Sequence, residues 1–127
     1  MITKLIGTKL QILGFEYEVK ELPEEHRNNT YGMCHYKPQR LEYDPDLQGL
    51  IAEDTVMHEI VHAIDDVLHL NLSESTVHRL GYSLAKVLRD NPHLREFLEN
   101  STSKPAAAKV PAKPRPRNKK KAAGNAR

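Results

Sequence analysis

The sequence predicts an α+β domain in which a small antiparallel N-terminal sheet packs on a layer of helices. Two observations predict it. Apolar residues alternate from Lys9 to Leu22 and again from Tyr31 to Tyr43, the period of half-buried strands. Beyond residue 47 the apolar spacing changes to three and four, the period of helices, and no Pro or Gly interrupts residues 50–70. Strands come first and helices second, which is the order of an α+β fold rather than of a parallel α/β one.

Leu10 and Ile12 precede Gly14, and Phe15, Tyr17 and Val19 follow it with Glu16, Glu18 and Lys20 between them. Two strands joined near Gly14 are expected. Residues 23–30 (PEEHRNNT) form a polar loop. Tyr31–Tyr36 and Gln39–Tyr43 predict a second hairpin turning at Lys37-Pro38. Asp44-Pro45-Asp46 stops the strand and can cap the following helix, expected from about Leu47 or Leu50 to Leu68. Ser73 is the expected N-cap of a second helix reaching about Arg89, with Val77, Leu80, Leu84, Val87 and Leu88 as its core stripe. Asn91-Pro92 ends it and opens a short third helix with Leu94, Phe97 and Leu98 facing inward.

Charge divides the chain. Residues 101–127 hold 9 of the 19 Lys and Arg and no acid, whereas residues 1–100 hold 10 basic and all 17 acidic residues. The tail is therefore near +9 and the body near −7. The tail is rich in Ala and Pro, and Val110 is its one large aliphatic residue. It cannot bury enough apolar surface to offset chain entropy. A folded domain of residues 1–100 and a disordered basic tail of residues 101–127 are expected. Residues 104–127 could hold nucleic acid through phosphates alone, without aromatic residues to stack on bases. The single cysteine, Cys34, excludes an internal disulfide and suits a reducing compartment. The first 13 residues do not form a signal peptide, and no apolar run is long enough for a membrane span. A soluble cytoplasmic protein without a membrane partner is expected.

Residues 58–62 read His-Glu-Ile-Val-His, the HExxH pattern of zinc hydrolases. On a helix, His58 and His62 project from one face a turn apart, and two neutral imidazoles there can ligate one Zn²⁺. Glu59 sits about 100° round the helix, within reach of a proton on a water at the metal. Val56, Met57, Ile60, Val61, Ile64, Val67 and Leu68 give the motif the amphipathic helix that it needs.

A catalytic zinc takes three protein ligands and leaves one position open. The extension HExxHxxGxxH is excluded, because positions 65 and 68 are Asp65 and Leu68. His69 is one residue off and points along the helix axis. Glu74, His78 and Gly81 share one face of the next helix, and Gly81 allows close approach there. Either Glu74 or His78 could complete the set. His62 lies about 10 Å before the end of its helix, level with the second or third turn of the next, which favours His78 in a simple hairpin.

The stretch Thr55–Pro92 resembles small zincin-like proteins of phages and prophages related to the ImmA/IrrE metallopeptidases, which have a gluzincin-like site. The likeness lies in HEIVHAID, in the link LNLSE, in VHRLGYSL and in the closing Asn-Pro. ILGFEYEV and YGMCHY resemble that family's N-terminal sheet, so the likeness spans roughly residues 10–98. It implies a zincin-like helical layer and a two-His, one-Glu zinc site of His58, His62 and Glu74. Gly81 matches a small residue of the family, whereas His78 stands where relatives carry Glu or Asn. Asp65 belongs to the shared HAID and is implied to hold a His ring by its free N–H.

A zinc-dependent metallopeptidase is the leading expectation, with Glu59 as general base, a peptide or protein as substrate, and a host-cell cytoplasmic location if phage-encoded. His78 or a tyrosine (Tyr31, Tyr36 or Tyr82) is a candidate for stabilising the oxyanion. Strand Tyr31–Tyr36 is a candidate to align an extended peptide. The alternative is a non-catalytic zincin-like protein that binds nucleic acid or a host protein through its basic tail. Cys34 and His35, adjacent on a strand, must face opposite sides, and Cys34 is expected as a small buried residue.

Overall fold

The computed structural model describes residues 5–102. Of the tail expected to be disordered from residue 101, Ser101 and Thr102 belong to a helix, and residues 103–127, with the expected nucleic-acid contact, lie outside the described part. The chain divides into two compact units, Met1–Pro92 and His93–Arg127. The first contains strands β1 (Lys9–Ile12), β2 (Phe15–Glu21), β3 (Gly32–Tyr36) and β4 (Gln39–Tyr43), then helices α1 (Gly49–Leu68) and α2 (Glu74–Asp90). Helix α3 (Pro92–Thr102) lies in the second unit from His93 onward. The architecture is α+β. Among the described residues no helix is long and apolar enough to cross a membrane.

Both expected hairpins form. Leu13 and Gly14 turn the first with positive φ at both positions (52° and 88°), the signature of a two-residue loop whose twist matches its strands. The sheet is mixed, however, not antiparallel. Its order is β1-β2-β4-β3, and β2 pairs with β4 in parallel, with Val19 opposite Leu41. Parallel pairing needs a long crossover, and residues 22–38, which include β3, supply it. Part of the expected loop is a short 3-10 turn at Glu24–His26, and Arg27 Nε ties it back to the Leu22 carbonyl at 2.8 Å. Alternation within each strand could not reveal which hairpin strands become neighbours. Here β4 becomes central, and β3 is left on the edge.

One face of the sheet carries Ile12, Tyr17, Leu41 and Cys34 and packs on Ile60, Ala63 and Ile64 of α1. Helix α1 buries Thr55, Glu59, Val61 and Ala63. On the opposite face, His35 Nε2 donates to Glu42 at 2.9 Å and Arg40 Nε donates to the same carboxylate at 2.7 Å. Cys34 and His35 thus face opposite sides, as strand geometry requires.

Ser73 caps α2 as expected, its hydroxyl accepting from the Thr76 N–H at 3.1 Å. The acidic turn does not cap α1. Gln48 is the N-cap, and Asp44 instead accepts from the Asp46 N–H at 2.9 Å. The expected core stripe of α2 is corrected in part. Val77 is buried as expected, together with Gly81 and Ala85, whereas Leu80, Leu84 and Val87 are each more than two-fifths exposed. The small-residue face wins because it lets the helix axes come close. In α3, Phe97 and Leu98 are exposed rather than inward, and the Asn91 amide donates to the Val87 carbonyl, closing α2.

A methyl group on Gly81 would lie 2.9 Å from His58 Cα and 3.0 Å from His58 N, both backbone atoms that cannot swing aside. Ala exceeds Gly in helix propensity by about 1 kcal/mol. Overpacking against fixed backbone costs about 1–3 kcal/mol and should prevail. We therefore expect Gly81→Ala to lower stability by up to about 2 kcal/mol in urea unfolding. A neutral or stabilising result would refute the close approach.

Candidate metal centre

His58 and His62 stand one turn apart on α1, ring centroids 4.8 Å apart and nearly perpendicular. Glu74 is the first residue of α2, placed by the Ser73 cap. Its Oε2 lies 2.8 Å from His58 Nε2 and its Oε1 3.2 Å from His62 Nε2. Donor atoms from the three residues all lie within 4.8 Å of one another. Tetrahedral ligands about 2.0–2.1 Å from a zinc ion are about 3.3 Å apart, so this set can close round one ion with small adjustments. Two imidazole nitrogens and a carboxylate are also the donor types that zinc takes.

Gly81 makes this possible. Its contact with His58 brings α2 against α1 at the start of the motif. Glu74 lies two turns before Gly81 on the same face. The Glu74 side chain is 71% exposed and reaches over imidazoles that are 18% and 24% exposed. The simple hairpin estimate, which favoured His78, compared backbone levels and ignored that reach. His78 stands to one side, its ring centroid 6.0 Å from that of His58, and is outside the donor group.

The electrostatics suit ligation. Burial lowers the pKa of His58, and neighbouring His62 and His78 push the same way, while Glu74 opposes them. The neutral imidazole that a metal requires is thereby favoured. Glu59 is buried, 6% exposed, and its pKa is raised to about 7 by burial first and by the Glu74 charge second. It is not among the grouped donors. Its Oε2 faces β3, where a Cβ on Gly32 would come within 3.2 Å of it and within 2.9 Å of Thr55 Cγ2. Gly32 is therefore the point where strand backbone presses on the motif helix.

A cavity of about 360 Å³ opens over this group, lined by His58, Glu59 and Glu74 together with Tyr31, His78 and Tyr82. Thr30 and Gly32 form its strand wall, and Asp54 and Thr55 extend it one turn back along α1. Two of the three candidate tyrosines therefore reach the site, and Tyr36 does not. Sequence reasoning missed Gly32, Asp54 and Thr55. A glycine inside a strand signals close backbone approach. Asp54 and Thr55, four and three residues before His58, share its helix face.

Other candidates lie elsewhere. The Asp65 carboxylate accepts from the Leu72 N–H, 3.3 and 3.4 Å from its two oxygens, so its described hydrogen bonds hold the α1–α2 connection rather than a His ring. His69 does not continue the helix; it is the left-handed C-cap, its N–H bonded to the Asp65 carbonyl. Cys34 is half-buried, and its thiol is pushed up to about 12, chiefly by burial and then by Glu59 and Asp66.

Glu59 gives a stability prediction. Its folded pKa, about 7, lies above the ordinary 4.5, so the folded state holds a proton that the unfolded state releases. Stability is then full below pH 4.5 and falls as pH rises toward 7. In chelator-treated protein, Glu59→Gln should raise stability at pH 8 by an amount on the order of 3 kcal/mol and leave it nearly unchanged at pH 4. Thermal unfolding across that range checks it, and a pH-independent difference would contradict the buried-carboxyl account.

No protein family, curated protein or solved structure matches this chain.

Proposed function

We propose that the protein is a zinc-dependent metallopeptidase that hydrolyses a bond in a peptide or protein substrate. The observation that carries this reading is the grouping of donor atoms from His58, His62 and Glu74, with the buried Glu59 carboxyl lining one cavity together with His58 and Glu74. The likeness of HEIVHAID and LNLSE to zincin-like metallopeptidases supports it. Bound by the three donors, Zn²⁺ would supply Lewis acidity and an open position where the pKa of a water falls.

Glu59 supplies the proton transfer. Its carboxylate accepts a proton from the water that attacks the substrate carbonyl carbon. It then delivers that proton to the amide nitrogen as the C–N bond breaks, giving a carboxylic acid and an amine. A group whose pKa lies near 7 serves both directions at neutral pH. His78, Tyr31 and Tyr82 border the cavity and can donate hydrogen bonds to the carbonyl oxygen as it gains charge. Strand β3, on the sheet edge beside the cavity, can align the substrate by strand addition. A purely structural zinc site would have no use for the buried Glu59 carboxyl.

Metal content and peptide hydrolysis, measured together, test the proposal. Wild type should hold one equivalent of zinc. Glu59→Gln should keep it and lose hydrolysis by about 10²-fold or more. His62→Ala and Glu74→Ala should lose both, and His78→Ala should keep the metal. Hydrolysis persisting in Glu59→Gln, or metal binding that ignores Glu74 and depends on His78, would overturn the mechanism or the ligand set respectively.

A further inference from the structure

The edge strand β3 joins two cavities. Gly32, at its start, borders the metal centre, and Tyr36, at its end, lines a second cavity of about 340 Å³ with Asp65, Asp66, His69 and Asn71. Helix α1 runs alongside in the same sense. Gly32 lies against Thr55 and Glu59, and Tyr36 shares its cavity with Asp65 and Asp66. The two runs agree in length. Gly32 to Tyr36 spans about 13 Å at about 3.3 Å per strand residue. Glu59 to Asp66 spans about 10 Å at about 1.5 Å per helix residue.

The outer edge of β3 is suited to an extended chain. The Asp44 N–H bonds to the Tyr31 carbonyl at 2.9 Å, so Tyr31, Met33 and His35 direct their backbone groups to β4. Cys34 and Tyr36 then direct theirs to the open edge of the sheet, whereas the Thr30 hydroxyl donates to the Gly32 carbonyl at 3.0 Å and accepts from the Gly32 N–H at 3.5 Å. A peptide added there, with one residue over His58 and Glu74, has another about four residues away beside Tyr36. The described residues lining that second cavity include two carboxylates and no Lys or Arg. Burial first, then Cys34, and after them Asp66 and Asp65 hold the Tyr36 hydroxyl pKa up, at about 12. Asp65 is tied to the Leu72 N–H, which leaves the exposed Asp66 as the charge best placed to meet an incoming cation.

We infer that the Tyr36–Asp65–Asp66 cavity is a distal specificity subsite, which takes a Lys or Arg side chain of an extended peptide about four residues from the bond at the metal centre. The inference rests on the peptidase reading and names its substrate class. The side-chain ammonium or guanidinium meets Asp66 and Asp65, and its aliphatic stem lies on the Tyr36 ring.

Two measurements on the full zinc-loaded chain test it separately from that reading. The first digests an unbiased peptide mixture and maps cut sites by mass spectrometry. Lys and Arg should be enriched about fivefold at a position about four residues to one side of the cut, and Asp66→Lys should reverse the preference toward Glu and Asp. Cuts that depend on Glu59 but show no such enrichment would overturn the subsite and leave the peptidase reading intact. The second uses Glu59→Gln and fluorescein-labelled twelve-residue peptides of Ala, Ser, Thr and Val with a single Lys moved along the chain. Anisotropy should show tightest binding at one Lys position, lost in the Asp66→Lys, Glu59→Gln double variant. This supports the subsite even if no peptide is cut. Equal affinity at every position, or no binding at all, would overturn it.

Discussion

The contact between Gly81 and His58 is the constraint on which the site depends. A hydrogen in place of a side chain lets α2 approach the backbone of α1 at the first residue of the motif. That approach decides which face of α2 is buried, so Val77, Gly81 and Ala85 go inward and larger leucines remain outside. It also decides what reaches His58 and His62. From two turns before Gly81, a Glu side chain is long enough to span both imidazoles. The Ser73 cap adds a second restraint by fixing where α2 starts, and thus the position of Glu74. The N-terminal position also suits a carboxylate, since the helix dipole favours negative charge there.

A second close approach closes the other side. Gly32 brings strand backbone to Thr55 and Glu59. Glu59 is thereby left with little exposure to water, and its charged form is disfavoured. The same wall leaves β3 with one edge free, because β4 has taken the place between β2 and β3. A cavity lined by three carboxylates, Asp54, Glu59 and Glu74, and by the imidazoles of His58 and His78 carries charge and polarity that apolar packing would not gather. A divalent cation would favour ionised Glu74 and neutral His58 together, which is the physical argument behind the proposed zinc.

The local features were legible in the sequence. Alternation located the four strands, and the three-and-four spacing located α1 and α2 to within a residue or two. Ser73 marked a helix start by its hydroxyl, a signal contained within four residues. The HExxH spacing placed His58 and His62 on one face because helix geometry is the same in any fold. Glu74 and Gly81 were recognisable as occupants of a shared face, but choosing between Glu74 and His78 required the distance between two helices. The capping role expected for the acidic turn failed because Asp44 turned its side chain onto its own loop.

Sequence alone determined the elements, the pair of imidazoles one turn apart and the carboxyl beside them, because each depends on dihedral angles and spacing within one segment. The tertiary structure decided the parallel pairing of β2 with β4, the inward face of α2, the position of the Glu74 carboxylate against both imidazoles and the burial that lifts Glu59. Each of these is a relation between segments far apart in the chain. Such relations follow from how closely backbones can approach, and two glycines, Gly32 and Gly81, set that approach on either side of the site.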